Sequence, residues 1–273
     1  MKVSCLPVSF FPQILDGRMS VLDWVRIAKG CRLDTIDIST MFVKNHTPTY
    51  LTALRRDLDS HDMPITMVTS YPDFSHPDRI QRERELDYLR HDIAVASFLG
   101  ARYVRIVAGQ AHPTTPLEAG KRWVVELFRK AAKISKRYGI QLVYENHSKP
   151  GAWHYYDFSY ATEIFLNIAK TIQDTGIRIN FDTANPIAYG DDPIPILQEI
   201  VGMIETIHAA DTGKRGELSP VLIGQGLVPF EKIFRILKQN GFDNWICIEE
   251  ASCTGESGVK KATDFVRETW TNS

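Results

Sequence analysis

An eight-stranded α/β barrel is the fold class the sequence predicts, and three observations predict it. Short β-rich runs bounded by turn residues alternate with longer helical patterns from one end of the chain to the other. Eight such strands can be placed, and the length of 273 residues fits the roughly 250 of one (β/α)8, or TIM, barrel. Alternation of strand and helix implies parallel strands with right-handed crossovers, and eight units in this length imply closure into a barrel. The competing open, doubly wound sheet normally carries a glycine-rich phosphate loop after an early strand, and neither GxGxxG nor GxxxxGK[ST] occurs here. With no low-complexity segment, long linker or charge block, residues 1–273 are expected to form a single domain.

In chain order, the strands are predicted at 3–10, 33–39, 64–70, 102–108, 140–146, 177–183, 204–210 and 244–250. The helical patterns between them include 20–30 (SVLDWVRIAKG), 79–100, 121–139 and 230–241. Each ends at a glycine (Gly30, Gly100, Gly139, Gly241), where a left-handed C-cap is expected. GVKKATDFVRETW, 258–270, supplies the final helix. The loops after strands 2, 3 and 5 are long and aromatic, as in SYPDFSHPD (70–78) and SKPGAWHYYDFS (148–159), and in a barrel such βα loops build the mouth of the active site.

With 44% hydrophobic and 24% charged residues the chain can bury a large core. Its 32 basic and 33 acidic residues give a net charge of −1, which is no electrostatic footprint for nucleic acid. A small, neutral or weakly charged molecule is the expected partner, with no nucleic acid or membrane, and a homo-oligomer is open. The four cysteines (Cys5, Cys31, Cys247, Cys253) are scattered, so neither a zinc ribbon nor a disulfide framework is suggested. The apolar run at the amino terminus is short and broken by Pro7 and Pro12, unlike a signal peptide or spanning helix, so a cytoplasmic location is expected.

Four consecutive strands late in the chain each end in a potential metal ligand: LVYENH (Glu145), INFDTAN (Asp182), TIHAAD (His208) and ICIEEAS (Glu249). Period-2 alternation puts Asn180 and Asp182 on the barrel axis with Ile179 and Phe181 toward the helices. In the last strand Cys247 and Glu249 face inward and Ile246 and Ile248 outward, so Glu249 is chosen over Glu250. A single strand-end carboxylate is usually a cap or a surface charge, and a single histidine is usually a hydrogen-bonded core residue. Four together, with no cation among the inward residues just named, would be costly to desolvate unless a divalent ion neutralised them. Three oxygen donors and one imidazole favour Mn²⁺ first, with Co²⁺ or Mg²⁺ ahead of Zn²⁺.

These residues resemble the xylose-isomerase-like TIM-barrel superfamily of sugar isomerases and epimerases (the sugar phosphate isomerase/epimerase family). The resemblance extends to FLGARYVRIVAG at strand 4, to NFDTAN…GDDP after strand 6 and to GQGLVPFEKIFRILKQNGFDNWICIEE leading into strand 8, and so covers nearly the whole chain. It implies one metal ion held by Glu145, Asp182, His208 and Glu249, with the two glutamates doubling as acid and base. Two departures bear on the substrate and leave the ligands untouched. Asn185 stands where epimerases of this type commonly have a histidine, and GQG, with Gln225, replaces the usual GEG.

The expected chemistry is proton abstraction next to the carbonyl of a sugar or keto-sugar through an enediolate, giving an isomerase or epimerase. The alternative is a lyase or dehydratase of the same superfamily, eliminating from a keto-sugar, an inosose or a 3-keto-glycoside. His147, two residues beyond Glu145, is a candidate third catalytic group, with a non-catalytic rim histidine as the alternative. Lys149, His154, Asn185, Asp211, Lys214 and Arg215 are candidates for contacts to substrate, although Lys214 and Arg215 read equally well as a solvated loop. An endonuclease-IV-like nuclease is a remote alternative, because it would need several further metal ligands and a basic groove.

Overall fold

The computed structural model describes residues 1–273 and contains all eight strands: β1 (Lys2–Leu6), β2 (Ile36–Ser39), β3 (Ile65–Thr69), β4 (Tyr103–Ile106), β5 (Gln141–Glu145), β6 (Arg178–Asp182), β7 (Ile204–Ala209) and β8 (Trp245–Glu249). They form one parallel sheet in the order β1-β8-β7-β6-β5-β4-β3-β2. Its two end strands meet at a seam tied by Asp34 N–H to Val3 O (2.9 Å), Val3 N–H to Asp34 Oδ2 (2.7 Å) and Ser4 Oγ–H to Asp37 Oδ2 (2.6 Å). The ring is a nearly closed TIM barrel.

Helices follow every strand: α1 (Phe11–Leu15) and α2 (Val21–Gly30) after β1, α3 (Pro48–Ser60) after β2, α4 (Arg79–Phe98) after β3 and α5 (Leu117–Tyr138) after β4. The second half continues with α6 (Thr162–Thr171), α7 (Asn185–Tyr189) and α8 (Pro193–Ile200), α9 (Phe230–Gln239) and α10 (Glu256–Asn272). Amphipathic spacing decides which face turns inward. In α9 Phe230, Ile233, Phe234 and Leu237 are buried, the i, i+3, i+4, i+7 stripe of a helix lying on a sheet. A Ser20–Asp23 capping box starts α2. No helix is long and apolar enough to cross a membrane.

Two expectations about local structure need correction. The first strand stops at Leu6, not at residue 10, because Pro7 has no N–H to continue the ladder. A short 3₁₀ turn (Val8–Phe10) and α1 follow and bring Val8, Phe11, Pro12 and Leu15 over the barrel mouth. The second concerns the glycine caps. Gly100, Gly139 and Gly241 are left-handed, each followed by a closing N–H to the carbonyl five residues back, whereas at the end of α2 it is Arg32 (φ 60°) that takes this conformation. Leu33 N–H then bonds Ala28 O, so the same closure forms two residues beyond Gly30.

Alternation within the strands separates two cores. Ile179, Phe181, Ile246 and Ile248 pack in the large cluster between sheet and helices. Met67, Tyr103, Val143, Trp245 and Cys247 form a second cluster on the inward side, filling the lower barrel. The residues two further along the same strands reach the mouth. A one-residue register shift between β6 and β7 at Ile179/Asn180 sets Asp182 beside His208; without it the outward-facing Ile207 would stand there, since a single-residue slip reverses every side chain.

Candidate metal centre

The structure brings together Glu145, Asp182, His208 and Glu249 at the C-terminal ends of β5 to β8, with one candidate donor atom from each, all within 4.8 Å of one another. His208 Nδ1 lies 2.6 Å from Glu145 Oε1 and 3.5 Å from Glu249 Oε2. Glu145 and His208 are fully enclosed, whereas Glu249 keeps 20% of its side chain exposed and lines the cavity above. Asp182 is fixed at the start of α7, where its Oδ1 accepts N–H bonds from Ala184 (2.8 Å) and Asn185 (2.7 Å). Asn146 clamps its backbone from the neighbouring strand, donating to Asp182 O and accepting from Asp182 N.

One inward cation went unseen in the sequence. Arg105, from β4, is buried with its Nε 2.9 Å from Glu145 Oε2, its Nη1 bonded to Ser70 O (3.0 Å) and its guanidinium over the Tyr71 ring. It lies on β4, outside the four strands whose inward residues were read as carrying no cation. Arg105 Nε and Glu145 Oε2 lie close but satisfy no hydrogen-bond geometry, so the pair is a charge contact. Three carboxylates against one guanidinium and a neutral imidazole leave two negative charges, which one divalent cation cancels.

The proton equilibria show the same surplus. Burial disfavours a charged His208, yet Glu145 and Glu249 outweigh it and push its pKa well up. Glu145 is lowered although burial opposes it, because His208 and Arg105 hold it charged. Asp182 is raised by burial and by Glu249 and Glu145. A cluster that must take up protons to stay neutral is one a metal ion can serve instead. The donors fit a divalent ion in kind: hard carboxylate oxygens with one imidazole, while His208 Nε2 and Glu145 Oε2 are buried without hydrogen-bond partners. This is the one group of three or more His, Cys, Asp or Glu donors in the chain so arranged, against the several ligands more that a multi-metal nuclease needs.

A family profile described as xylose isomerase-like TIM barrel matches residues 25–269. The chain belongs to that family. Among curated relatives, it is 25% identical over 255 residues to an L-ribulose-5-phosphate 3-epimerase of Escherichia coli, covering 92% of this chain and 81% of the relative. It is 22% identical over 242 residues to an inosose dehydratase of Clostridium beijerinckii, covering 76% of each. A solved structure of the IOLI protein with a bound zinc atom superposes with a TM-score of 0.81 at 19% identity, covering 100% of this chain and 99% of that one. The xylose isomerase-like family thus holds both epimerases and dehydratases, and at least one structural neighbour carries a metal.

Within this family fold, a cavity of about 450 Å³ opens at the barrel mouth, with Asp182 and Glu249 of the four donor residues in its wall. His147, Lys149, Asn185 and Asp211 are on its wall. His147 is buried with an unpartnered Nδ1, and burial lowers its pKa to about 4. Asn185 Nδ2 bonds Asn146 O (3.0 Å). The Asp211 carboxylate is already engaged by the N–H groups of Thr212, Gly224, Gly226 and Val228, so it holds a loop in place. His154, Lys214 and Arg215 lie off the cavity wall and exposed. Lys214 pairs with Glu217, and Arg215 holds Gly190 O and Asp191 O. Arg105, Tyr71 and Asn146 were missed. Arg105 sits at an inward position of YVRI that period-2 reading could have flagged, whereas the Asn146–Asp182 pairing leaves no mark in sequence.

Proposed function

We propose that this protein is a metal-dependent enzyme that moves a proton next to the carbonyl of a sugar or keto-sugar, giving an epimer or isomer. The observation that carries this reading is the pair Glu145 and Glu249. They come from strands separated by β6 and β7 and converge on His208 Nδ1 at 2.6 and 3.5 Å. Two carboxylates flanking one carbon can remove a proton from one face and return it to the other.

Glu145, Asp182, His208 and Glu249 would hold the ion, and Mn²⁺ suits three oxygen donors and one imidazole, with Zn²⁺, Co²⁺ and Mg²⁺ as the other outcomes of metal analysis. When bound, such an ion acidifies the C–H beside a carbonyl. Glu249, the glutamate open to the cavity, takes the proton on Oε. For the epimer, Glu145 enters the cycle protonated, gives its proton to the opposite face and ends as a carboxylate beside the Arg105 guanidinium; Asn185 and Lys149 offer donors to substrate hydroxyls. The enclosing barrel keeps bulk water from the enediolate.

A second reading, elimination, is favoured by one observation: His147 lines the cavity two residues beyond Glu145 and its buried Nδ1 has no hydrogen-bond partner, which leaves the imidazole uncommitted for proton transfer to a leaving group. The test is deuterium uptake from heavy water into ketoses, ketose phosphates, inososes and 3-keto-glycosides by Mn²⁺-loaded protein, with products identified by NMR. Uptake with recovery of a stereoisomer supports the first reading and release of water or an aglycone the second. No uptake into any ketone overturns both.

A further inference from the structure

The segment between β5 and α6 builds much of one cavity wall: His147, Ser148, Lys149, Pro150, Gly151 and Ala152 all line it. Its feet are fixed by backbone. Asp157 N–H bonds Ser148 O (2.6 Å) and closes 148–157 into a loop, while Phe158 N–H bonds Gly109 O (2.7 Å) and Ala111 N–H bonds Tyr156 O (2.8 Å). Phe158 also packs on Gly120, where a Cβ would lie 2.5 Å from its ring. Compact surface loops with ends this close are frequently functional.

The tip has no such support of its own. Within residues 149–155 one backbone bond forms, Trp153 N–H to Pro150 O (3.0 Å). The only hydrogen bonds that reach this stretch from outside the loop end on Gln110 Oε1, which accepts the N–H groups of His154 (3.0 Å) and Tyr155 (3.3 Å). Lys149, Gly151, Ala152, His154 and Tyr155 are exposed, so burial adds little to hold them.

Gln110 follows β4, and the orientation of its amide is set from behind. Its Nε2 donates to Asp73 Oδ2 (3.1 Å); a carboxylate only accepts, so the oxygen end must face the loop. Asp73, in the loop after β3, is buried and pinned in turn. Its Oδ1 accepts from Gln110 N–H (2.9 Å) and Ser75 Oγ–H (3.3 Å), its Oδ2 lies 2.7 Å from His112 Nε2, and its own N–H bonds Glu85 Oε2 (3.2 Å) on α4. Gly109 (φ 123°) is required beside them, because a Cβ there would lie 2.4 Å from Ser75 Oγ and 2.6 Å from Asp73 Oδ1. Neither Asp73 nor Gln110 lines the cavity. They act on it through the loop.

We propose that Gln110 is a positioning residue: a latch, set by Asp73, that holds the 149–155 loop tip as a wall of the substrate cavity and presents Lys149 to the sugar or keto-sugar. This rests on the proton-transfer reading above and adds to it the device that shapes the site. With the latch open, substrate meets a wall that must be ordered on binding, and apparent affinity falls in proportion to the fraction of molecules already closed. Glu145 and Glu249 sit at strand ends that the latch does not touch, so binding and not chemistry should carry the cost.

The test reverses the polarity of the latch without changing its shape. Gln110→Glu sets a second carboxylate against Asp73, and Asp73→Asn sets an NH₂ where Gln110 Nε2 needs an acceptor. In the double variant the new asparagine amide can donate to the new glutamate, whose carboxylate still accepts from the loop. Amide exchange in the Mn²⁺-loaded proteins is read by mass spectrometry with residue-resolving fragmentation. Exchange at His154 and Tyr155 should quicken by about tenfold or more in each single variant, with Phe158 N–H at the parent rate, and return to within about threefold of the parent in the double variant. In turnover of the ketoses, ketose phosphates, inososes and 3-keto-glycosides above, KM should rise about tenfold in each single variant while kcat stays within about threefold, and the double variant should recover. Parent-like exchange in both single variants, or damage that adds in the double variant as loss of packing would, overturns the latch. Exchange that responds while KM does not overturns the positioning role. A parent protein that turns over none of these ketones sinks proton transfer instead, and the exchange arm then decides the latch by itself.

Discussion

Glu249 and Glu250 are neighbours in sequence on opposite faces of the barrel wall, and their surroundings differ in kind. On the loop side Glu250 is buried and satisfied: it accepts from Ser9 Oγ–H, Ser252 N–H and Ser252 Oγ–H. Asp211, on the same side, gathers four amides. On the axis side Glu145, Asp182 and Glu249 share one imidazole and one guanidinium, and Glu145 Oε2 and His208 Nε2 stay without hydrogen bonds. Buried acids whose lone pairs are filled by the chain are scaffold, whereas buried acids left with surplus charge await a ligand. Burial alone does not distinguish the two sides; satisfaction does.

The largest expected effect breaks that comparison or confirms it directly. Glu249→Gln and Glu145→Gln keep an oxygen donor but lose the base, so deuterium exchange should fall by on the order of 10²–10⁴ in metal-saturated protein. Glu250→Gln should exchange within a few-fold of the parent and show its cost in the melting curve. Parent-like rates in both axis-side variants would sink the two-glutamate transfer. His147→Ala, measured alongside, separates a catalytic imidazole from a wall residue by whether rate falls while metal is retained.

Metal binding comes next. Elemental analysis after mild chelation and Mn²⁺ replenishment should give close to one ion per chain, and His208→Ala should fall far below that. Ligation of the native state alone adds about 2.7 kcal/mol when metal is at 100 times its Kd, so chelation should lower the melting temperature of the parent and leave His208→Ala unmoved. Two or three tightly held ions would revive the nuclease reading.

How much of this was legible in the chain follows the same division. The eight strands and the four donor residues that meet at the barrel mouth could be read because period-2 alternation and strand-end placement are local signals, strong enough to choose Glu249 over Glu250. Arg105 was overlooked because attention stayed on strands that end in a ligand, although β4 obeys the same alternation. Asp211 does line the cavity, but its engagement with four backbone amides up to 17 residues away was not legible, because sequence does not show where an amide points. Gly30 misled because a glycine near a helix end suggests a left-handed cap, and Arg32 took that conformation instead.

Deeper in the barrel, Asp37 tests whether a satisfied acid can still carry a cost. It accepts from Ser4 Oγ–H and Met67 N–H, yet burial raises its pKa to about 6. The unfolded value is about 3.9, so between roughly pH 4 and 6 the folded state binds the extra proton and stability falls as pH rises. The full penalty is present above pH 6 and is at most about 3 kcal/mol, a tenfold change in proton affinity being worth about 1.4 kcal/mol. Asp37→Asn should flatten the stability profile over that window and raise stability at pH 7.5 in urea melts. An unchanged slope would mean that Asp37 ionises in the fold without cost.

The smallest effect concerns Asp211 and sharpens the scaffold side of the comparison. Its Oδ2 accepts N–H from both Gly224 and Gly226 at 2.9 Å, which gives the GQG motif a physical role: both glycine amides converge on one oxygen. A Cβ on Gly226 would lie 2.2 Å from Asp211 Oδ1 and 2.5 Å from Thr212 O, so glycine is needed there for close approach. In Asp211→Asn, whichever way the amide turns, an NH₂ faces N–H donors where an oxygen stood. A buried donor left unpaired costs about 1–3 kcal/mol, and these part-buried amides can recruit water, so a loss near the lower bound, about 1 kcal/mol, is expected. Metal content should stay at the parent value, because none of the four ligands touches this carboxylate. A variant with parent stability would show that the 211–228 segment is held by other contacts, and a variant that loses its metal would place Asp211 with the axis-side acids after all.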